Sequence, residues 1–339
     1  MNDKVDFWTR PATVERNNFK FKSLSCWSYN IAIGCEHGCR FCYVPEVSTV
    51  KLGAKLNNEY GVTDPDAEWG DYLMLRQWDE NAFLASLRKA ESTPVSDLNK
   101  DGNRAVMLCT TTDPYQVIRH TDPERRALLQ NHASLLVRNA LLLILERSTI
   151  NVRILTRSPL ARRDFDIFKR FGRRLLFGMS LPTLDSRLAK VYEPKAPAPE
   201  RRLETLRAAK EAGLNVFVAV APTYPECSYG DIRATFEAVA SLNPVTVFHE
   251  NINIRAENVA RIQKACQENG VASQSHVFAT QRDWALYAHR QLIEAQTAAA
   301  EFELSDRLHL WPDASLAKLM PGEVNWYRTH WNRVSEWPK

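Results

Sequence analysis

The chain has 339 residues, 45% hydrophobic and 25% charged, which is ordinary for a globular protein able to bury one large core or two modest ones. Its seven cysteines are an odd number spread over a long chain, and the N-terminal MNDKVDFWTR has no apolar signal core, so a disulfide framework is not expected and a reducing cytoplasm is. The net charge of +4 is small, and although the stretch from Arg157 to Arg174 is rich in basic residues that could meet nucleic-acid phosphates, Asp164 and Asp166 interrupt it and a solvated helix face explains it as well.

About 27 residues, including Cys26 and Trp27, precede the first predicted strand, YNIAI at 29–33. Residues 50–72 read as an excursion off the fold. RAVMLC at 104–109 leads to TTTDPYQ and a helix opened by Asp122 as N-cap with Pro123 at its first position. The longest apolar run, ALLLIL at 140–145, is too short to cross a bilayer, and no membrane partner is expected. Strands follow at 151–156, 175–180, 215–221 and 245–250, with helices around 161–171, from Pro199 to Gly213, and up to Gly270. The tail carries a helix at about 281–303, then LHLWPD and a tryptophan-rich end. Trp311, Trp326, Trp331 and Trp337 are expected to plug a barrel end or pack outside it rather than stack on bases.

Strands alternating with helices imply a parallel sheet, either an open doubly wound sheet or a complete or partial β/α barrel. Polar residues cluster after each strand. Both architectures place ligands there, so this pattern does not choose between them. The organisation read from the sequence is an N-terminal extension at 1–27, a core at 28–275 and a helical, tryptophan-rich extension at 276–339.

Three cysteines, Cys35, Cys39 and Cys42, fall in GCEHGCRFCYV at 34–44 with spacing C-x3-C-x2-C. They can converge only if the backbone curls tightly, which Gly34 and Gly38 permit. Such clusters mean zinc, iron–sulfur or redox chemistry. Structural zinc needs a fourth ligand, here His37 or the distant Cys26 or Cys227. A cubane also normally takes four cysteines; three leave one iron open to a substrate or cofactor. A zinc-stabilised nucleic-acid-binding protein and a simple electron carrier are the competing readings.

The motif, set directly after the first strand, resembles the radical S-adenosylmethionine (SAM) enzymes. NIAIGCEHGCRFCYVP, CTTTDPYQ, ILTRSPL, MSLPTLDSRLAKVYEPKAPAPERRLETLRAAKEAGL and VAVAPTYP are similar, in order, to the blocks of the spore photoproduct lyase-like branch, over roughly 28–255. The resemblance implies an α/β fold with a partial (β/α)6 barrel, and a 4Fe-4S cluster held by Cys35, Cys39 and Cys42. It implies reductive cleavage of SAM to a 5′-deoxyadenosyl radical that takes hydrogen from an unidentified substrate, with nucleic acid or a nucleotide as the candidate class. An electron donor such as flavodoxin or ferredoxin is implied as well. Tyr43 then lies near the adenine, Thr112 and Asp113 receive the SAM amino group, and Arg157 pairs with its carboxylate. Ser180 contacts the ribose or methionine portion, and Ala221 with Pro222 lies against adenine.

His249 and Glu250 end the sixth predicted strand and are candidates for substrate binding or proton handling. The sequence departs from the lyase in two places. Thr110 stands where the lyase has its hydrogen-donating cysteine, with Cys109 one residue earlier and so expected on the opposite face, and Phe41 replaces the loop tyrosine. Cys227 or Tyr224 is the candidate replacement donor.

Overall fold

The computed structural model describes residues 4–17, 24–46, 52–335 and 337–338. Its strands, in chain order, are β1 (Val5–Pro11), β2 (Val14–Arg16), β3 (Trp27–Tyr29), β4 (Ala32–Gly34), β5 (Leu73–Gln77), β6 (Ala105–Leu108), β7 (Asn151–Thr156), β8 (Leu175–Ser180), β9 (Val216–Thr223), β10 (Thr246–Asn251) and β11 (Leu308–Leu310). The helices are α1 (Gly53–Tyr60), α2 (Glu80–Glu91), α3 (Pro123–Arg147), α4 (Phe165–Phe171), α5 (Ser186–Tyr192), α6 (Pro199–Glu211), α7 (Tyr229–Ala240), α8 (Asn258–Glu268), α9 (Gln281–Glu301), α10 (Leu316–Leu319) and α11 (Val324–Asn332).

An eight-stranded sheet runs in the order β11-β10-β9-β8-β7-β6-β3-β2, parallel throughout except for β2, which pairs antiparallel with β3. Its strands read as nearly continuous apolar runs because both faces are covered. Period-two alternation divides them. Val152, Ile154, Phe177, Val218, Val220 and Val247 join the large core shared with the helices. Leu155, Leu176, Phe217, Ala219 and Phe248 form a small cluster with Trp311 and Trp337 on the other face. Gly178 makes room there, since a Cβ on it would sit 2.4 Å from the Phe217 ring.

Asp122 caps α3 by accepting the backbone N–H groups of Glu124 and Arg125, and Pro123 opens it, as the sequence predicts. By length and composition α3 is apolar enough to cross a membrane. Its buried residues, Leu129, Ala133, Leu136, Val137, Ala140, Leu141 and Ile144, follow helical spacing and pack in the large core.

Three expectations change. YNIAI is not one strand: the chain breaks at Asn30, whose Oδ1 accepts the N–H groups of Thr110 and Thr111 at 2.8 and 3.0 Å, so β3 stays in the main sheet while β4 leaves it. The N-terminal residues are not merely an extension. β2 edges the main sheet, and β1 joins β5 and β4 in a second, three-stranded sheet; residues 1–3 and 18–23 lie outside the described residues. The excursion, of which 50 and 51 lie outside the described residues, carries α1 and leads into β5. Its Leu56, Val62, Trp69 and Tyr72 pack with Trp8, Ile33, Val44 and Cys35 in a separate small core around the cysteine loop.

At the far end, Trp337 donates to the Arg173 carbonyl at 2.7 Å and lies 5.2 Å from the Arg153 guanidinium, closing the sheet interior at the strand N-termini. Trp326 and Trp331 pack around Tyr327 on the tail helix. Trp311 instead follows β11 and turns towards the opposite end.

Candidate functional site

The C-terminal ends of the parallel strands surround a cavity of about 550 Å³. One wall is the cysteine loop after β4, with Cys35, Cys39, Cys42 and Tyr43. The loop after β6 brings Thr110 to Asp113; Arg157 follows β7, Ser180 ends β8, and Ala221 lies two residues before the end of β9. The opposite wall is Glu250 to Asn253, Arg255, and Trp311 to Ala314 after β11.

The loop curls through two turns: the Gly38 N–H donates to the Cys35 carbonyl at 3.4 Å and the Cys42 N–H to the Cys39 carbonyl at 3.1 Å. Gly34 has φ +87°, and a Cβ on it would stand 2.3 Å from the Tyr72 carbonyl oxygen. Neighbours fix the loop from outside. Tyr192 accepts the Arg40 N–H at 2.8 Å, Asn258 donates to the Phe41 carbonyl at 3.3 Å, and Arg261 donates to that of Cys42 at 2.6 Å.

Burial pushes all three thiols up, Cys39 to about 12, and the Cys35 thiol is raised further by Cys39, Asp113 and Cys42. Three soft donors are therefore gathered where their anions oppose one another, an arrangement that suits a polynuclear cationic iron–sulfur group. Among the described residues no three His, Cys, Asp or Glu side chains converge on a single metal ion. The fourth ligand that zinc would need is not supplied by the residues named for it. His37 Nε2 faces Asp113 Oδ2 at 3.1 Å, Cys26 lies against Gly102, and Cys227 is in the large core.

Asp113 ties the strand ends together. Its Oδ1 accepts from the Tyr115 N–H at 2.8 Å and the Thr156 hydroxyl at 2.7 Å, and its Oδ2 accepts the Arg157 N–H at 2.8 Å besides facing His37. Burial works against its charge, but His37, the Thr156 hydroxyl and the Arg157 amide outweigh it and hold the carboxyl down at about 2. Thr112 is occupied too: its hydroxyl donates to the Gly34 carbonyl at 2.7 Å and accepts from Gln116 at 2.8 Å. Both residues line the cavity, yet their polar atoms are spent on holding the cysteine loop against β6 and β7.

Arg157 reaches the cavity with Nε on the buried Glu193 carboxylate at 2.5 Å and its guanidinium 5.7 Å from the Phe41 ring. Arg202, 1% exposed, pairs with the other Glu193 oxygen and donates to the Ser180 carbonyl at 3.1 Å. Burial opposes the charge of Arg157, but Glu193 and Cys39 hold its pKa well above the ordinary value. Among the described residues its terminal nitrogens have no hydrogen-bond partner. The Ser180 hydroxyl donates to the Ala221 carbonyl at 2.9 Å, joining β8 to β9 at the rim. Burial raises the Tyr43 hydroxyl, as do Cys42 and Glu250.

Three candidates, His249, Cys227 and Tyr224, sit elsewhere. His249 alternates onto the outer face, fully buried, with Nδ1 3.0 Å from the Val220 carbonyl oxygen, and burial lowers it to about 4. Glu250, its neighbour, does line the cavity and accepts from Asn253 at 2.6 Å. Cys109 has φ +65°, which breaks strand alternation; it touches the cavity rim but packs in the large core with Tyr29 and Ile31, where burial raises its thiol. Cys227, pushed by burial to about 12, and Tyr224, stacked on Tyr192 at 4.0 Å, belong to that core as well. Tyr224 stands behind the cysteine loop, its ring 5.9 Å from Phe41. Trp311, Asp313, Arg255 and Glu193 were not among the sequence candidates. The signal for Trp311 was that LHLWPD repeats the pattern of a short apolar run followed by polar residues, one strand further on.

No family model matches the chain. An uncharacterized protein of Acidianus two-tailed virus is 29% identical over 247 residues, covering 71% of this chain and 72% of that protein. One from Methanocaldococcus jannaschii is 24% identical over 258 residues, covering 76% and 81%. Among solved structures, a mutant of spore photoproduct lyase matches with TM-score 0.61 at 12% identity, covering 91% of this chain and 81% of that one. The same enzyme complexed with dinucleoside spore photoproduct matches with TM-score 0.58 at 15% identity, covering 88% and 80%. This chain thus has the fold adopted by spore photoproduct lyase.

Proposed function

We propose that the protein is a radical SAM enzyme of the lyase-like branch, with Cys35, Cys39 and Cys42 as ligands of a 4Fe-4S cluster and SAM bound in the adjoining cavity. The observation that carries this reading is the placing of two buried cysteines and the half-buried Cys42 with Arg157, Ser180 and Ala221 around one cavity at the strand ends. We read the parallel strands β3 and β6 to β10 as a partial (β/α)6 barrel. When bound, the cluster supplies the electron that cleaves SAM to methionine and a 5′-deoxyadenosyl radical able to take a hydrogen atom from substrate.

The chain's own contributions follow from its geometry. Arg157, anchored by Glu193, offers its remaining N–H groups to the SAM carboxylate. Since Asp113 and Thr112 are committed to the protein, the SAM ammonium is assigned to the hydroxyls of Thr110 and Thr111, which line the same wall. Tyr43 and Ala221 flank the adenine. The apolar side chains of Leu155, Ala219, Ile252 and Trp311 exclude water from the radical's surroundings.

The substrate class proposed is a nucleic acid component, supported by the fold of the lyase. The lyase's own reaction is not proposed, because the Cys109 thiol is packed in the core and Phe41 carries no hydroxyl. At the other end of the basic run from Arg157, Arg174 spends its guanidinium on the carbonyls of Leu145, Ser148 and Ile150.

Anaerobic reconstitution with iron and sulfide, followed by reduction with SAM present, tests the reading. The parent is expected to form 5′-deoxyadenosine and Cys42→Ala to form none; equal formation in both would refute the ligand assignment.

A further inference from the structure

The cysteine loop has a second face. On the side away from the cavity it is covered by the segment after β6 and by the residues that follow α5, and between these lies a surface hollow of about 340 Å³. His37 contributes to the hollow and also lines the internal cavity, so one residue of the loop separates the two spaces. Two other sides of the loop are covered by described residues. The small core around Trp69 and Tyr72 packs on one side, and Asn258 and Arg261 at the start of α8 hold another.

The hollow is basic. Arg119, Lys190 and Lys195 stand around it. Arg119 spans it by donating to the Glu36 and Lys195 carbonyls, each at 3.0 Å, and pairs with the buried Glu36 carboxylate at 3.2 Å. Lys195 pairs with the exposed Asp71 at 2.6 Å. Lys190 is exposed, donates to the Pro194 carbonyl at 2.7 Å, and has no carboxylate partner among the described residues. Arg119 and Lys195 are thus each met by one carboxylate and Lys190 by none among the described residues, a surplus of one positive charge, and chain between the two lysines touches the loop: Tyr192 accepts the Arg40 N–H.

We propose that this hollow is the docking site of an acidic one-electron carrier protein of the flavodoxin or ferredoxin class. The proposal rests on the function read above. One electron leaves the reduced carrier and enters the cluster; the carrier is oxidised by one electron, and no bond or proton need change place. Tunnelling falls steeply with distance, so the carrier must approach where the protein wall over the cluster is thinnest. The thin wall and the surplus positive charge coincide here, and opposite charge on a partner speeds encounter and fixes its orientation.

The test compares the parent with Lys190→Glu and with Lys169→Glu, a charge reversal on the exposed face of α4 remote from the hollow. Binding of oxidised flavodoxin, which needs no cluster, is measured by titration calorimetry at low and high salt. Lys190→Glu is expected to bind about tenfold more weakly at low salt, Lys169→Glu like the parent, and the difference to shrink at high salt. On reconstituted protein, reduction of the cluster absorbance by reduced flavodoxin is expected to slow by a similar factor in Lys190→Glu while dithionite reduces all three alike. Equal flavodoxin binding by the parent and Lys190→Glu, or a larger loss in Lys169→Glu, overturns the docking site. Failure of the parent to take up a reducible cluster overturns the proposed function instead, and the binding data still decide the docking site.

Discussion

Replacing Asp113 by asparagine removes one charge from a site that is 5% exposed while keeping its size. The carboxyl is held at about 2 against an ordinary 3.8. At about 1.4 kcal/mol per pH unit, that difference is worth roughly 2 kcal/mol of folding free energy near neutral pH. An amide must also turn an N–H towards the Thr156 hydroxyl or the Arg157 amide, both of which now donate to Asp113. Leaving one buried donor unsatisfied adds about 1 kcal/mol or more, so a total loss of about 3 kcal/mol is expected. The sign with pH follows from the lowered pKa. A depressed carboxyl stabilises above its ordinary range and loses that contribution as pH falls through the folded value of about 2. Urea unfolding of the parent and Asp113→Asn, measured at a series of pH values, should give a constant gap from about pH 5 to 7 that narrows between about pH 4 and 2. A gap near zero at neutral pH, or one that does not narrow in acid, refutes the account of Asp113 as the tie between the cysteine loop and the strand ends.

Two further outcomes follow. Glu193→Gln leaves Arg157 and the buried Arg202 without their shared counter-charge, which should cost about 3–5 kcal/mol in thermal or urea unfolding and weaken SAM binding measured by calorimetry. His249 is lowered to about 4 from 6.5, so its contribution to stability is full above its ordinary pKa and is lost as pH falls from 6.5 towards 4. His249→Gln should lack that acid slope, worth about 3 kcal/mol at its full extent, and should still cleave SAM because the imidazole faces away from the cavity.

The parallel strands were legible because each is a short run of β-branched and apolar residues with helix signals between: NVRILT and LLFGMS match β7 and β8 end to end. Asp122 and Pro123 marked the start of α3 for an equally local reason. The three-stranded sheet was not legible, since β1 and β5 are joined by pairing across more than sixty residues and neither alternates cleanly. At the site, the cysteine spacing carried its own chemistry, and the residues at strand ends fell where the parallel sheet requires. What the sequence hid were side-chain commitments. Asp113 looked free to meet a ligand, but its partners His37, Thr156 and Arg157 come from two other loops. His249 and Glu250 looked equivalent until strand alternation placed them on opposite faces.

The separate small core has a consequence for how the molecule fails. Cys35 packs there with Trp8, Ile33, Leu56 and Met74, and Cys42 leans on it, so the cysteine turn is part of an apolar compartment apart from the large core that stabilises the sheet. Oxygen damage at the sulfurs would therefore loosen that compartment first, seen as faster amide hydrogen exchange in β4, β5 and α1, while the amides of β7 to β10 stay protected.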